Sequence, residues 1–229
     1  MDIAYSERTR ILLGEKAIKR LENAWVVVVG LGGVGGYALE GLVRAGIGKI
    51  TAIDGDRVDK SNINRQIIAT TKTLGLYKAD AAGSRMLDIN PSLVYEGINC
   101  FINKQNVQDL ISYKVDFVID AIDSVPDKVA IALYCKQNNI PQICCLGTGN
   151  RIDSKGFEIT DIYKTHGCPL ARKVRYNLKR VGVESLDTLY SLAPVYTNND
   201  IDVIGSVSYL PAIAGLKLCE HVIKKLIKE

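Results

Sequence analysis

Between Asp54 and Lys78 the chain gathers Asp54, Asp56, Asn62, Asn64, Arg65, Gln66 and Lys78, and Asp120 and Asp123 follow in the stretch VIDAID. A guanidinium can clamp phosphate oxygens through two parallel hydrogen bonds, and an ammonium adds a compact positive charge. Arg65 and Lys78 together therefore match a triphosphate better than the less charged bridge of a dinucleotide. Asp54 closes a strand about 20 residues after a glycine-rich turn, where a carboxylate accepts hydrogen bonds from a nucleotide ribose. Asp56 stands beside it, and this spacing fits NAD as well as ATP. A carboxylate beyond a strand can hold Mg²⁺, which takes one or two carboxylates together with phosphate oxygens. Asp123 suits that role better than Asp120, which still lies in the strand and reads as a structural acceptor. Each residue taken singly also reads as a cap, a turn former or part of a solvated loop. Their grouping is what points to nucleotide chemistry.

The glycine-rich turn is WVVVVGLGGVGG, from Trp25 to Gly36. Trp25 to Val29 is a short β-branched run suited to a strand buried on both faces of a parallel sheet. Gly30, Gly32, Gly33 and Gly35 let a phosphate approach backbone N–H groups. Leu39, Leu42 and Val43 recur at helical spacing after them. The glycines would then sit at a helix N-terminus, where orphan N–H groups and the positive end of the dipole favour an anion. The cradle by itself is shared by many nucleotide-binding folds and is sometimes only a tight turn.

To place these groups in one crevice, strands must end side by side. Lys49 to Asp54, Leu93 to Cys100, Val115 to Ala121 and Gln142 to Leu146 read as strands; Tyr77 to Ile89, Asn106 to Ser112 and Lys128 to Gln137 read as helices, and Arg57 to Gln66 as a loop. This alternation predicts a doubly wound, Rossmann-like α/β sheet with a parallel core, whose ligands bind beyond the carboxyl ends of the strands. Residues 1 to 24 predict one amphipathic helical segment, with Ile11, Leu12, Leu13, Ala17, Ile18 and Leu21 on its apolar side. After residue 150 the pattern changes. Phe157 to Ile162 and Leu189 to Val195 read as added strands around a basic helix, Leu170 to Val181, and Pro211 to Ile227 as a closing helix. The reading is one domain over 1–229: an N-terminal helical segment (1–24), a nucleotide-binding core (25–150) and a C-terminal half with a basic, substrate-facing insertion (151–229).

The 229 residues suffice for one large α/β domain. Net charge is +4, which permits a nucleic-acid partner without requiring one. From Arg151 to Arg180 eight basic residues face three acidic ones, a larger excess than that of the whole chain. On a helix from Leu170, Arg172, Arg175 and Lys179 share a face, opposite an apolar face of Leu170, Val174, Leu178 and Val181. None of the six cysteines is spaced as CxxC, so zinc and thioredoxin-like sites are not indicated, and a reducing compartment fits. MDIAYSERTR carries charge where a signal peptide needs an apolar core. Ile204 to Leu216 is too short to span a bilayer, which needs about 20 apolar residues. The expected location is the cytoplasm.

GLGGVG from Gly30, DGD from Asp54, NINRQ from Asn62, Lys78 and DAIDS from Asp120 stand in the order seen in the ThiF/MoeB/HesA superfamily, relatives of ubiquitin-activating enzymes. Residues 5 to 150 resemble that superfamily. The resemblance implies binding of ATP and Mg²⁺ and adenylation of a carboxylate. It places the ribose on Asp54, the phosphates on Arg65 and Lys78 with Asn64 beside them, and the metal on Asp123. It further implies a homodimer in which an N-terminal arginine reaches the partner's phosphates; Arg8, six residues before Gly14, fits that place better than Arg10. RTRILLGEKAIKRL, TDIYKTHGCPLARKVRYNLKR from Thr160, SLAP from Ser191 and GSVSYLPAIAGL from Gly205 resemble its tRNA threonylcarbamoyladenosine dehydratase branch. That branch implies tRNA as partner, with Arg172, Arg175 and Lys179 on the phosphates.

Two other readings use the same cradle. A sulfur-carrier-activating adenylyltransferase would act on a protein tail and could engage a sulfur-carrier or cysteine desulfurase-type partner, but such relatives often carry the paired CxxC motifs missing here. An NAD-dependent oxidoreductase would leave Arg65, Lys78 and Asp123 unused. A nucleotide-sensing module without catalysis would not need the whole polar set. Cys168, between basic groups, is the one cysteine to weigh for covalent chemistry, and no base is identifiable beside it. His166 and His221 read as structural.

Overall fold

The computed structural model describes residues 3–196 and 204–228. In chain order the elements are α1 (Ile3–Leu13), α2 (Glu15–Asn23), β1 (Trp25–Val29), α3 (Gly35–Ala45), β2 (Lys49–Ile53), α4 (Lys78–Ile89), β3 (Val94–Ile98), α5 (Val107–Leu110), β4 (Phe117–Asp120), α6 (Val125–Gln137), β5 (Gln142–Cys145), β6 (Phe157–Asp161), α7 (Pro169–Arg180), β7 (Asp187–Ser191) and α8 (Tyr209–Lys228). The strands form a seven-stranded sheet of order β3-β2-β1-β4-β5-β7-β6. All neighbouring pairs are parallel except β6 with β7. The doubly wound expectation is met.

Burial follows from the alternation of side chains along each strand. In β1, Val26 and Val28 join a core with Leu39, Leu42 and Val43 of α3, Met86 of α4 and Leu210, Ala214 and Leu218 of α8. Val27 and Val29 face the other way, onto Val118, Ile131 and Cys135. On that second face, α6 and α7 enclose a further cluster with Cys144, Leu146, Val174, Leu178 and Tyr190. Helices thus cover both faces, as the unbroken apolar run WVVVV requires.

Three expectations about elements need correction. The N-terminal segment is two helices, broken at Gly14, whose φ of +81° suits glycine. The break removes a common apolar face: Ala17, Ile18 and Leu21 are buried, whereas Ile11 and Leu12 are 75% and 81% exposed. The last strand starts and stops earlier than expected, because β7 pairs with β6 only as far as Ser191 and Pro194 has no N–H to extend a ladder. The helix expected from Lys128 begins at Val125, with Pro126 in its first turn. Among the described residues no helix is long and apolar enough to cross a membrane.

One buried ion pair ties the middle of the sheet together. Lys128, 1% exposed, donates to Asp120 at 2.9 Å, to the Cys145 carbonyl at 2.7 Å and to the Cys144 sulfur at 3.3 Å. Burial alone would lower the lysine's pKa, but the charge and hydrogen bond of Asp120, with the sulfurs of Cys144 and Cys145, together outweigh it and hold the ammonium above its ordinary value. The pair thus fastens α6 to the ends of β4 and β5. Removing one partner of a buried pair strands the other charge, at a cost of about 3–5 kcal/mol. Lys128→Met should lower the urea midpoint accordingly, and adding Asp120→Asn should recover part of the loss. A double variant no more stable than the single one counts against stranded charge as the cause.

Candidate functional site

The site grows from a close approach of two backbones. β1 lies between β2 and β4, and the chain winds away from it in both directions, so the crevice beyond β1 and β4 is the topological switch point. Gly30, with φ of +86°, ends β1; a Cβ there would lie 2.9 Å from the carbonyl carbon and oxygen of Ala121, just past β4. A Cβ on Gly35 would lie 1.7 Å from the Gly30 carbonyl oxygen, so α3 can start so close only with glycine. Gly33 meets Pro211 of α8 at 2.9 Å and Arg65 at 3.4 Å, both measured to its would-be Cβ. Gly32 differs: only the Gln66 amide nitrogen lies near, at 3.9 Å. Val34 caps α3 without a side-chain hydrogen bond. A side chain at Gly32 would therefore enter open space beside the start of α3.

The carboxylates after β2 organise this turn. Asp54 accepts from the N–H of Leu31 at 2.7 Å, inside the glycine turn, and from the N–H of Asp56 at 2.8 Å. Buried Lys78 donates to Asp56 at 2.7 Å and stands 4.0 Å from Asp54. An ammonium is therefore held at the rim of the cradle by two carboxylates. Each Asp54 oxygen keeps acceptor capacity beyond the bond it already makes.

Arg65 donates to the Ser61 carbonyl and to the Asn64 side-chain oxygen, both at 2.8 Å, through one guanidinium nitrogen. Its other nitrogens have no partner among the described residues. Asn64 in turn donates to the Ser206 carbonyl at 3.2 Å. Asn64 thus orients the arginine and joins the loop to the chain before α8. Gln66 is buried beside Gly32, with its side-chain oxygen unpartnered. Asn62 is occupied in a capping box with Asp59.

The two aspartates after β4 part company. Asp120 is consumed by Lys128 and by the N–H of Ile122, at 3.2 Å. Asp123 is exposed and makes no hydrogen bond or ion pair among the described residues. It follows two residues after Ala121, the residue against which Gly30 packs. Among the described residues no three His, Cys, Asp or Glu side chains cluster as a metal cage. The donor set fits a cation bound by one carboxylate together with ligand oxygens. A cleft of about 380 Å³ opens elsewhere, around Phe117, Asn139, Gln142 and Asp187 near the N-terminal ends of β4, β5 and β7.

In the C-terminal half the basic face is smaller than its sequence suggests. Arg172 and Lys179 are exposed, but Arg175 is half-buried and donates to the Thr165 carbonyl at 2.7 Å and to the Thr165 hydroxyl. It fastens α7 to the turn before it. Arg151 is buried. Val181 lies past the helix and is 40% exposed, while Ala171 is buried in its stead beside Val174 and Leu178. Cys168 is buried as the N-cap of α7, accepting from the N–H of Ala171 at 3.5 Å. His166 lies 3.4 Å from the Tyr190 hydroxyl and His221 3.1 Å from Asp187, both in structural contacts. Arg8 is exposed on α1.

Four residues at or beside the site carried no warning. Lys128 stands directly before the apolar run VAIALYC, and only its burial in the fold shows that it must have a carboxylate partner. Phe101 covers Gly55, where a Cβ would lie 2.6 Å from the ring. Pro211 walls Gly33, and the Ser206 carbonyl holds Asn64. The last three come from distant segments.

Known proteins share this arrangement. The model of the ThiF family matches residues 5–229. The tRNA threonylcarbamoyladenosine dehydratase of Bacillus subtilis (strain 168) is 33% identical, over 97% of this chain and 94% of its own. The Escherichia coli (strain K12) protein of the same name is 36% identical, over 96% and 92%. The crystal structure of E. coli TcdA, a tRNA N6-threonylcarbamoyladenosine dehydratase, in complex with ATP superposes with a TM-score of 0.92 at 35% identity, covering 99% of this chain and 95% of that one. The chain therefore belongs to the ThiF family, in which it is similar, along nearly its whole length, to tRNA threonylcarbamoyladenosine dehydratases.

Proposed function

We propose that the protein, acting as one adenylating domain over residues 1–229, uses ATP to activate the carboxylate of N6-threonylcarbamoyladenosine in tRNA and closes it to the cyclic, dehydrated form. The observation that carries this reading is the convergence of Arg65, Lys78, Asp54 and the unengaged Asp123 on one glycine cradle at the switch point. Similarity to dehydratases over nearly the full length of both chains supports the substrate. An NAD-dependent reading leaves the arginine, lysine and outer aspartate without work.

In this reading the α3 N-terminus and the cradle N–H groups receive phosphate oxygens, with Gln66 beside Gly32 offering its buried amide. Arg65, oriented by Asn64 and Ser61, clamps the phosphates, and Lys78 offers positive charge from between Asp54 and Asp56. Asp54 and Asp56 receive ribose hydroxyls. Asp123 holds Mg²⁺, which would neutralise phosphate charge. The substrate carboxylate oxygen attacks the α-phosphorus and pyrophosphate leaves; the substrate's own ureido group then displaces AMP. The closing nucleophile is part of the substrate, so the chain chiefly supplies position and charge.

Wild-type protein should release pyrophosphate from ATP with tRNA carrying the modification and far less without it. Tight NAD binding with no ATP binding by calorimetry would reject the nucleotide assignment. Asp123→Ala should reduce adenylation by at least about a hundredfold, the scale seen when a group that stabilises transition-state charge is removed, while circular dichroism stays that of the wild type. Unchanged turnover would show the metal to be held elsewhere.

We further propose a homodimer in which Arg8 reaches the partner's phosphates; exposed Ile11 and Leu12 on the same helix suit a contact between copies. Mixing Arg8→Ala with Lys78→Ala protein should restore part of the activity, because one site of the mixed dimer keeps both residues. A monomer by sedimentation, or no rescue, removes this sharing.

Arg172 and Lys179 are proposed to neutralise tRNA phosphates, without Arg175. Replacing both by alanine should flatten the dependence of log affinity on log salt by about 0.7 to 0.9 for each phosphate no longer neutralised. ATP affinity should be unaffected, and an unchanged salt slope would remove α7 from the footprint.

A further inference from the structure

The groove between the start of α6 and the outer face of α7 has no assigned role, and it lies next to the chemistry. It has a volume of about 360 Å³ and is lined by Val125, Arg172, Lys173, Tyr176 and Asn177. Val125 is the first residue of α6, so one wall of the groove lies two residues along the chain from Asp123. Tyr176 is 66% exposed although it stands on a packed helix. The Arg180 guanidinium lies 5.7 Å from its ring centroid, and Arg172 and Lys173 flank it. An exposed ring among cations is what an unpaired nucleotide needs: a face for its base and positive charge for its phosphate.

We propose that this groove is a stacking subsite for the nucleobase that carries the substrate carboxylate, with Tyr176 as platform and Arg172 and Lys173 receiving the adjoining phosphates. This rests on the reading of the protein as a tRNA-acting enzyme and adds to it where the reacting nucleotide sits. The carboxylate must reach the cradle, so its base must dock close to the β4 end, and the groove begins there. Charge complementarity favours a nucleic acid over an apolar peptide: basic side chains border the groove, and none of its five lining residues is acidic. The Asn177 amide donates to the Lys173 carbonyl at 2.9 Å, which leaves its oxygen to accept from a base or ureido N–H.

Tyr176→Trp places a reporter in the groove, and the native Trp25 lies at the opposite end of β1. Its fluorescence should be quenched by tRNA bearing the modification, and less by the same tRNA without it. Tyr176→Ala should raise KM for modified tRNA about tenfold or more while the Kd for ATP stays unchanged, and Tyr176→Phe should behave as wild type. Equal quenching by both tRNAs, or an unaltered KM in Tyr176→Ala, overturns the assignment of the reacting base to this groove. The broader reading fails separately, if wild-type protein releases no pyrophosphate with modified tRNA. The quenching comparison reports on the groove in either case.

Discussion

The contact between Gly30 and the peptide of Ala121 is the constraint on which the site depends. Two adjacent parallel strands end together there with no side chain between them, and α3 turns away over the Gly30 carbonyl at a distance that no Cβ would survive. This close packing brings the cradle after β1 and the aspartates after β4 to one edge. It also explains why residues from Asp54 to Lys78 reach the same space: β2 lies on the other side of β1, and Asp54 bonds directly to the N–H of Leu31. A methyl group at Gly30 or Gly35 would disturb the cradle and the strand end that leads to Asp123 together, because they share one wall.

Two lysine–aspartate pairs flank this wall, and solvent separates their roles. Lys128 and Asp120 are both buried, and their ammonium is also bonded to a carbonyl, so the pair is spent on holding α6 against β4 and β5. Lys78 is buried too, less completely, but its partner Asp56 is half exposed, and Asp54 stands at 4.0 Å. That ammonium is held at the rim by a partner that water already reaches. An entering polyphosphate can compete with Asp56 there, whereas nothing can replace Asp120 without opening the core. The same residue types thus make a closed fastener in one place and a pair open to exchange in the other.

The middle of the sheet was legible in the sequence because β1, β2 and β4 are short, largely β-branched runs followed or closed by glycine or aspartate, and parallel burial makes such runs continuous. The cradle, Asp54 and Asp123 stood out as candidates because each follows a strand end, and Arg65 and Lys78 because they lie in the polar stretch and at the helix start that follow β2. Other features depended on contacts between distant segments. Whether Arg175 faces solvent was decided by Thr165, with which it bonds, and helical spacing could not register that. Ile11 and Leu12 were misplaced because the left-handed Gly14 resets the helical phase. Asp120 was set apart from Asp123 by its place within the strand, but its partner Lys128, one turn into the next helix, could not be read from spacing.

The thiols bear on how the reaction can finish. Burial pushes Cys145 and Cys219 up to about 12 and raises Cys144 well above its ordinary value, and Asp120 adds to the shift at Cys144. Cys135 is pushed up to about 12 for the same reason. At neutral pH these sulfurs are thiols enclosed in the core, poor nucleophiles towards an activated carboxylate. Cys168 is buried too, and its sulfur accepts the N–H that starts α7, so moving it towards a substrate would uncap that helix. A thioester on Cys144 or Cys145 would have to unpack the core around β5, and one on Cys168 would have to release the helix that carries the basic face. Closure by a nucleophile that arrives with the substrate asks for neither, and it leaves both β5 and α7 as they are packed.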